Sequence, residues 1–134
     1  MSEDREIQAA LAANAAFYRA LAQGDYASME ALWSGSEPLL CSHPGTQALH
    51  GRAAVLGSWR AILAEPPNIE ARAPRAVVIR GVAFVTCLEA IGDTILTATN
   101  AWVWEQGEWR MIHHQSGHVA PEQIQESAPD GRFH

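Results

Sequence analysis

The stretch that decides the fold runs from Val82 to Val119: VAFVTCLEAIGDTILTATNAWVWEQGEWRMIHHQSGHV. Its opening residues favour extended chain, with Phe84, Val85 and Thr86 among them, and it breaks first at Gly92-Asp93, a two-residue hairpin signal of the II′ kind. Thr94 to Glu105 and Glu108 to Val119 then read as two arms of a hairpin around Gln106-Gly107. Upstream, the strand-like period already begins at Ile69: Ala76 to Ile79 is a β-rich run, and Gly81 turns it into Val82.

Before Ile69 the period is helical. Ile7, Leu11, Asn14, Tyr18 and Leu21 recur at alternating steps of four and three, one stripe of an amphipathic helix filled out with alanine. Gly24 supplies a left-handed C-cap and Asp25 caps a second short helix reaching about Trp33. Ser34 to Pro38 is a breaker cluster, after which Leu39, Leu40 and Cys41 form a short strand ending in the turn His43-Pro44-Gly45. A third helix follows Gly51, with Val55, Leu56, Trp59, Ile62 and Leu63 on one face, and Pro66-Pro67 stops it. Helices first and antiparallel strands afterwards predict an α+β domain with its helices on one face of a curved sheet.

The whole chain, 1–134, reads as one domain with a core over about residues 7–119 and a polar tail from 120 onward, a short helix and a loose end. At 48% apolar and 18% charged residues it has enough material for a core without disulfide or metal. Nine arginines, no lysine and fifteen acidic residues leave a net charge of −6, with no cationic cluster to release counterions from a phosphate backbone, so nucleic acid is not an expected partner. The longest apolar stretch, Ala76 to Ile91, is interrupted by Arg80, Gly81 and Glu89, so no membrane span is expected. The charged N-terminus does not read as a signal peptide, which predicts a cytoplasmic protein. Cys41 and Cys87 sit in strand-like runs and read as reduced, buried thiols.

Three segments resemble the nuclear transport factor 2-like superfamily: Ala22-Gln-Gly-Asp-Tyr26, Leu49-His-Gly-Arg-Ala53, and the hairpin from Asn100 to His114. The chain is most similar to the SnoaL-like, polyketide-cyclase-related branch, over about residues 7–119. The resemblance implies a cone, the cystatin-like α+β roll, in which a strongly curved antiparallel sheet wraps around three N-terminal helices. A pocket opens between them, and the implied assembly is a homodimer through the outer sheet face. It implies no cofactor. Function is less constrained, because the superfamily spans isomerases, cyclases, dehydratases, hydrolases, binding domains and oligomerisation modules.

The resemblance singles out His43. Related steroid isomerases carry an aspartate before a proline at the matching turn and use it as a general base, and an imidazole titrating near pH 6.5 suits that task. Those enzymes also place a tyrosine seven residues before the Gly-Asp turn; here that position is Phe17, so steroid isomerase activity itself is not expected, while Tyr18 beside it lies on the apolar stripe and is a pocket candidate with its hydroxyl inward. Strand alternation puts Asn100, Trp102 and Trp104 on one face, and His114 and Ser116 together on the last strand, opposite Trp109, Met111, His113 and Gln115. In kinase-hub relatives, arginines matching Asn100 and Ser116 face the cavity, so the inward set is Asn100, Trp102, His114 and Ser116; a bulge would bring in His113 instead. Trp33, Trp59 and Trp102 read as core or as aromatic lining. Adjacent histidines on a strand point to opposite faces, so no metal site is expected from His113, His114 and His118. Glu105 and Arg110 read as a solvated pair across the hairpin.

The expectation is a stand-alone SnoaL-like protein with an internal pocket for a small apolar or aromatic metabolite, either catalysing proton transfer of the cyclase, isomerase or hydrolase type with His43 as base, or binding without catalysis. A homo-oligomerisation module is the third reading.

Overall fold

The computed structural model describes residues 2–125. Helix α1 spans Glu3–Gln23, begins on the Ser2 side chain and ends on Gly24 at φ +67°. Its buried face holds Ile7, Ala10, Asn14, Phe17, Tyr18, Ala20 and Leu21, so the stripe read from sequence faces the sheet except for Leu11, which is half-buried. Asp25 caps α2 (Tyr26–Leu32) by accepting the Ser28 amide, and Trp33 closes it. Gly24 is required twice over. Its backbone is left-handed, and a Cβ there would lie 3.0 Å from the Leu63 carbonyl and 3.1 Å from Pro66, where the end of the third helix packs against the turn.

Strands β1 (Leu40–Ser42) and β2 (Leu49–His50) precede α3 (Arg52–Leu63), and β3 (Ile69–Ile79), β4 (Val82–Ile91), β5 (Thr94–Glu105) and β6 (Glu108–His118) complete one sheet in the order β2-β1-β6-β5-β4-β3. Three tight turns link the long strands. Gly92 alone takes positive φ in its turn, as a II′ hairpin needs, whereas Arg80-Gly81 and Gln106-Gly107 are positive at both residues. The sheet is mixed rather than wholly antiparallel, because β1 runs parallel to β6. The short strand read at Leu39–Cys41 is β1, shifted by one residue, whereas β2 escaped the sequence reading because it is only two residues long and is held by its neighbour.

Two irregularities bend the long strands. In β3 the register shifts between Arg72 and Arg75, around Ala73 at φ +51°. In β6, Ala101 pairs with His113 while Trp102 pairs with Met111, which leaves Ile112 as the extra residue of a bulge. This bulge lies ahead of His113 in the strand. Trp109 and Met111 are therefore buried on the same side as His114 and Ser116, not opposite them as simple alternation predicts. Trp104, grouped by alternation with Asn100 and Trp102, is 47% exposed at the end of the hairpin, where it stacks edge-on against Trp109 at 5.2 Å.

The helices lie on the inner face, α1 along β3 and β4. Phe17, Trp33, Trp59 and Trp102 form the aromatic centre of the core. Glu105 is not a simple solvated partner of Arg110: its carboxylate accepts from the Ser34 hydroxyl at 2.5 Å, the Gly35 amide at 3.0 Å and the Ser36 hydroxyl at 3.0 Å, while Arg110 pairs with Glu108. The polar tail forms a single 3-10 turn over Pro121–Gln123, and its remainder from 126 onward lies outside the described residues.

Candidate functional site

Six elements, α1, α3 and β3 to β6, and the turn after β1 converge on a cavity of about 100 Å³. Its apolar wall is Leu21 from α1, Trp59 and Ile62 from α3, and Ile69, Ile91 and Leu96 from the sheet. Set into that wall are four polar side chains: His43, Glu89, His114 and Ser116. Three of these, with Trp59, were singled out from sequence. Glu89 was noticed there only as an interruption of an apolar run. Its position follows Ala83, Val85 and Cys87 along the inward face of β4, so the informative signal was an acid in phase with buried residues.

His43 follows β1 and leans its ring edge-on against Trp59 at 4.8 Å. Its Nε2 lies 2.9 Å from the Ser58 hydroxyl, and that hydroxyl donates to the Val55 carbonyl at 2.6 Å. A hydroxyl has one proton, so the Ser58 oxygen accepts from His43 Nε2–H, and Nδ1 is left as the basic nitrogen. Burial lowers the pKa of His43 below its ordinary 6.5, which keeps the ring neutral near pH 7.

Glu89 is 2% exposed. It accepts the Tyr18 hydroxyl at 2.5 Å and bonds Ser116. Burial raises the pKa of its carboxyl above 4.5, against the opposing pull of those two donors. Behind Tyr18 the chain of contacts continues. The Tyr18 oxygen accepts from Asn100 Nδ2 at 3.3 Å and from the Cys87 thiol at 3.4 Å. Asn100 Nδ2 also donates to Asn14 Oδ1 at 2.8 Å, and Asn100 Oδ1 meets His114 Nδ1 at 2.5 Å. Asn100 and His114 sit directly opposite one another on β5 and β6, and α1 delivers Asn14 and Tyr18 one turn apart. Burial, with His43 and His113 nearby, pushes the pKa of His114 down to about 3. Tyr18 is raised well above 10, again mainly by burial. The network therefore runs from one cavity residue, His114, through the core to another, Glu89.

The remaining sequence candidates lie elsewhere. Trp33 stacks on Trp59 at 6.5 Å, and Trp102 is fully buried in the core; neither lines the cavity. His113 is half-buried and also absent from the lining, because the bulge falls at Ile112 and leaves His114 inward. Both thiols are buried and free; burial pushes Cys41 up to about 12 and Cys87 up to about 11. Among the described residues no group of three or more His, Cys, Asp or Glu side chains could hold a metal ion, and no helix is long and apolar enough to cross a membrane.

A curved sheet closed over helices with a polar-studded apolar cavity between them defines a small α+β pocket protein. Residues 10–121 match the model of the SnoaL-like domain, and the chain belongs to that family. No curated protein matches it. Among solved structures, a candidate dehydratase of the NTF2-like family from Streptomyces avermitilis is 26% identical, with a TM-score of 0.81 over 89% of this chain and 99% of that one. A candidate calcium/calmodulin-dependent protein kinase type II association domain from Thiobacillus denitrificans is 28% identical, with a TM-score of 0.68 over 82% and 94%. A candidate ketosteroid isomerase from Parabacteroides distasonis shares the fold at 15% identity, with a TM-score of 0.67 over 85% and 88%.

Proposed function

We propose that this SnoaL-like protein binds a small, uncharged metabolite with an apolar or aromatic body and catalyses proton transfer on it, with His43 as base and Glu89 as acid. One observation carries the reading: a group shifted toward its neutral basic form and a group shifted toward its neutral acidic form line one apolar cavity. His43 Nδ1 takes a proton activated by a neighbouring carbonyl, and the Glu89 carboxyl supplies one to the oxygen that gains electron density or departs. Tyr18 and Ser116 hold the carboxyl in place. Elimination of water from a hydroxy-carbonyl compound and simple isomerisation both use this pair, and the Streptomyces relative's description as a dehydratase favours the former. Incubation of the protein in D2O with small cyclic hydroxyketones, followed by NMR, tests the proposal. The expected result is deuterium entry next to the carbonyl, lost in His43→Ala. Exchange that survives His43→Ala overturns the assignment of the base.

The likeness to an association domain supports a second, compatible reading, a homodimer through the outer sheet face. That face presents the half-buried Phe84, Leu88 and Val103. Light scattering at monomer mass refutes it.

A further inference from the structure

The hydrogen-bond chain behind the cavity has a direction, and the direction limits what the cavity can hold. Asn100 commits its amide protons to Asn14 Oδ1 and to the Tyr18 hydroxyl, so its Oδ1 can only accept. His114 Nδ1, 2.5 Å from that oxygen, therefore carries the ring proton. A ring held neutral has one N–H, so with Nδ1 protonated Nε2 carries the lone pair. Two imidazole acceptors, His114 Nε2 and His43 Nδ1, thus belong to rings 6.3 Å apart on the wall of one small cavity.

Resting on the functional reading above, we propose that the cavity selects a compact, uncharged ligand bearing a hydroxyl group (an alcohol, phenol or enol) whose proton is donated to His114 Nε2. The carbonyl analogue of the same size is discriminated against. Asn100 and Asn14 act as positioning residues that fix the tautomer. A ligand without an O–H displaces water from the cavity and strands a buried acceptor, and sites built to bond a hydroxyl reject the analogue that lacks it. Size adds a second limit: about 100 Å³ is less than the roughly 150 Å³ that encloses a benzene molecule, so a single ring fills the space with one edge at the mouth.

Cyclohexanol and cyclohexanone share a skeleton and differ in the donor, so they are the probes. Each is titrated into the full chain at pH 7 by ligand-observed NMR, alongside a long-range 15N spectrum of the histidine rings. The expected result is at least about tenfold tighter binding of the alcohol, a preference erased in His114→Phe, and a His114 ring protonated at Nδ1. Equal or tighter binding of the ketone overturns the inference, as does a His114 ring protonated at Nε2, and both of these readings use the unmodified protein. If neither compound binds the folded protein, the pocket reading itself fails, an outcome distinct from loss of the preference.

Discussion

Replacing Tyr18 by Phe removes one oxygen and leaves the ring, with its edge-on contact to Phe17 at 4.8 Å, in place. Three partners lose a bond: Glu89 at 2.5 Å, Asn100 at 3.3 Å and Cys87 at 3.4 Å. Asn100 keeps Asn14, Cys87 keeps its bond to Asn14, and Glu89 keeps Ser116, so the main loss is the donor to the carboxyl. When Glu89 is protonated that bond is an ordinary neutral one of about 1 kcal/mol; when Glu89 is ionised it is worth about 1.5–3 kcal/mol. The cost must therefore grow with pH. Glu89 has a folded pKa above its unfolded value, so from about pH 4.5 upward the folded state retains a proton that the unfolded chain has released, and its contribution to stability falls as pH rises. Losing the Tyr18 donor raises that pKa further and steepens the fall. At about 2.1 cal/mol/K per residue, 134 residues give an unfolding entropy of about 0.28 kcal/mol/K, so the midpoint should drop by about 4 °C at an acid pH where the carboxyl holds its proton and by about 5–11 °C at an alkaline pH where it is ionised. Circular-dichroism melts of wild type, Tyr18→Phe, Glu89→Gln and the double variant measure it. An equal loss at both pH values, or the same pH-dependent loss with Gln at position 89, refutes the coupling.

Further outcomes follow from the same geometry. Catalysed deuterium exchange should rise with pH as His43 loses its proton, on a limb below pH 6.5, and fall as Glu89 ionises, on a limb above pH 4.5; a pH series on Glu89→Gln should lack the falling limb. Gly24→Ala forces a left-handed alanine whose Cβ meets the Leu63 carbonyl, and urea melts should show a loss of about 1–3 kcal/mol. Cys41 and Cys87, buried and raised to about 12 and about 11, should resist an aromatic disulfide reagent at pH 8 until denaturant is added.

The parts of this fold legible in the sequence are those where period and turn chemistry agree. The α1 stripe, the Gly24 and Asp25 caps, and the Gly92 and Gln106-Gly107 turns each rest on a local rule. What was not legible is non-local. A two-for-one bulge leaves no mark on the alternation of Glu108 to His118, so Trp109 and Met111 were assigned to the wrong face and His113 stayed a candidate. Trp104 fits the inward period yet is exposed at the hairpin's end, and period alone does not say how far the helices cover a strand. Glu105 finds its partners some seventy residues away in the Ser34 loop. Within the site, Asn14 belonged to the stripe and Asn100 was expected to need a partner, but only the folded chain joins them. Glu89 was the costliest omission: a lone acid in an apolar strand is the kind of local inconsistency that marks a functional position.

The parallel pairing of Leu40–Ser42 with His113–Gln115 has a consequence for how the protein is made. A ribosome delivers Asn14 and Tyr18 early, yet their partner Asn100, and His114 that bonds it, arrive some eighty to one hundred residues later. At about 5–20 residues per second the gap between Tyr18 and His114 lasts from about five to about twenty seconds. Late in that interval α1 can already lie along β3 and β4, while the strand that carries His114 is still missing. Closure of the domain therefore waits for β6, and a nascent chain stalled before residue 114 lacks the strand that pairs with both β1 and β5.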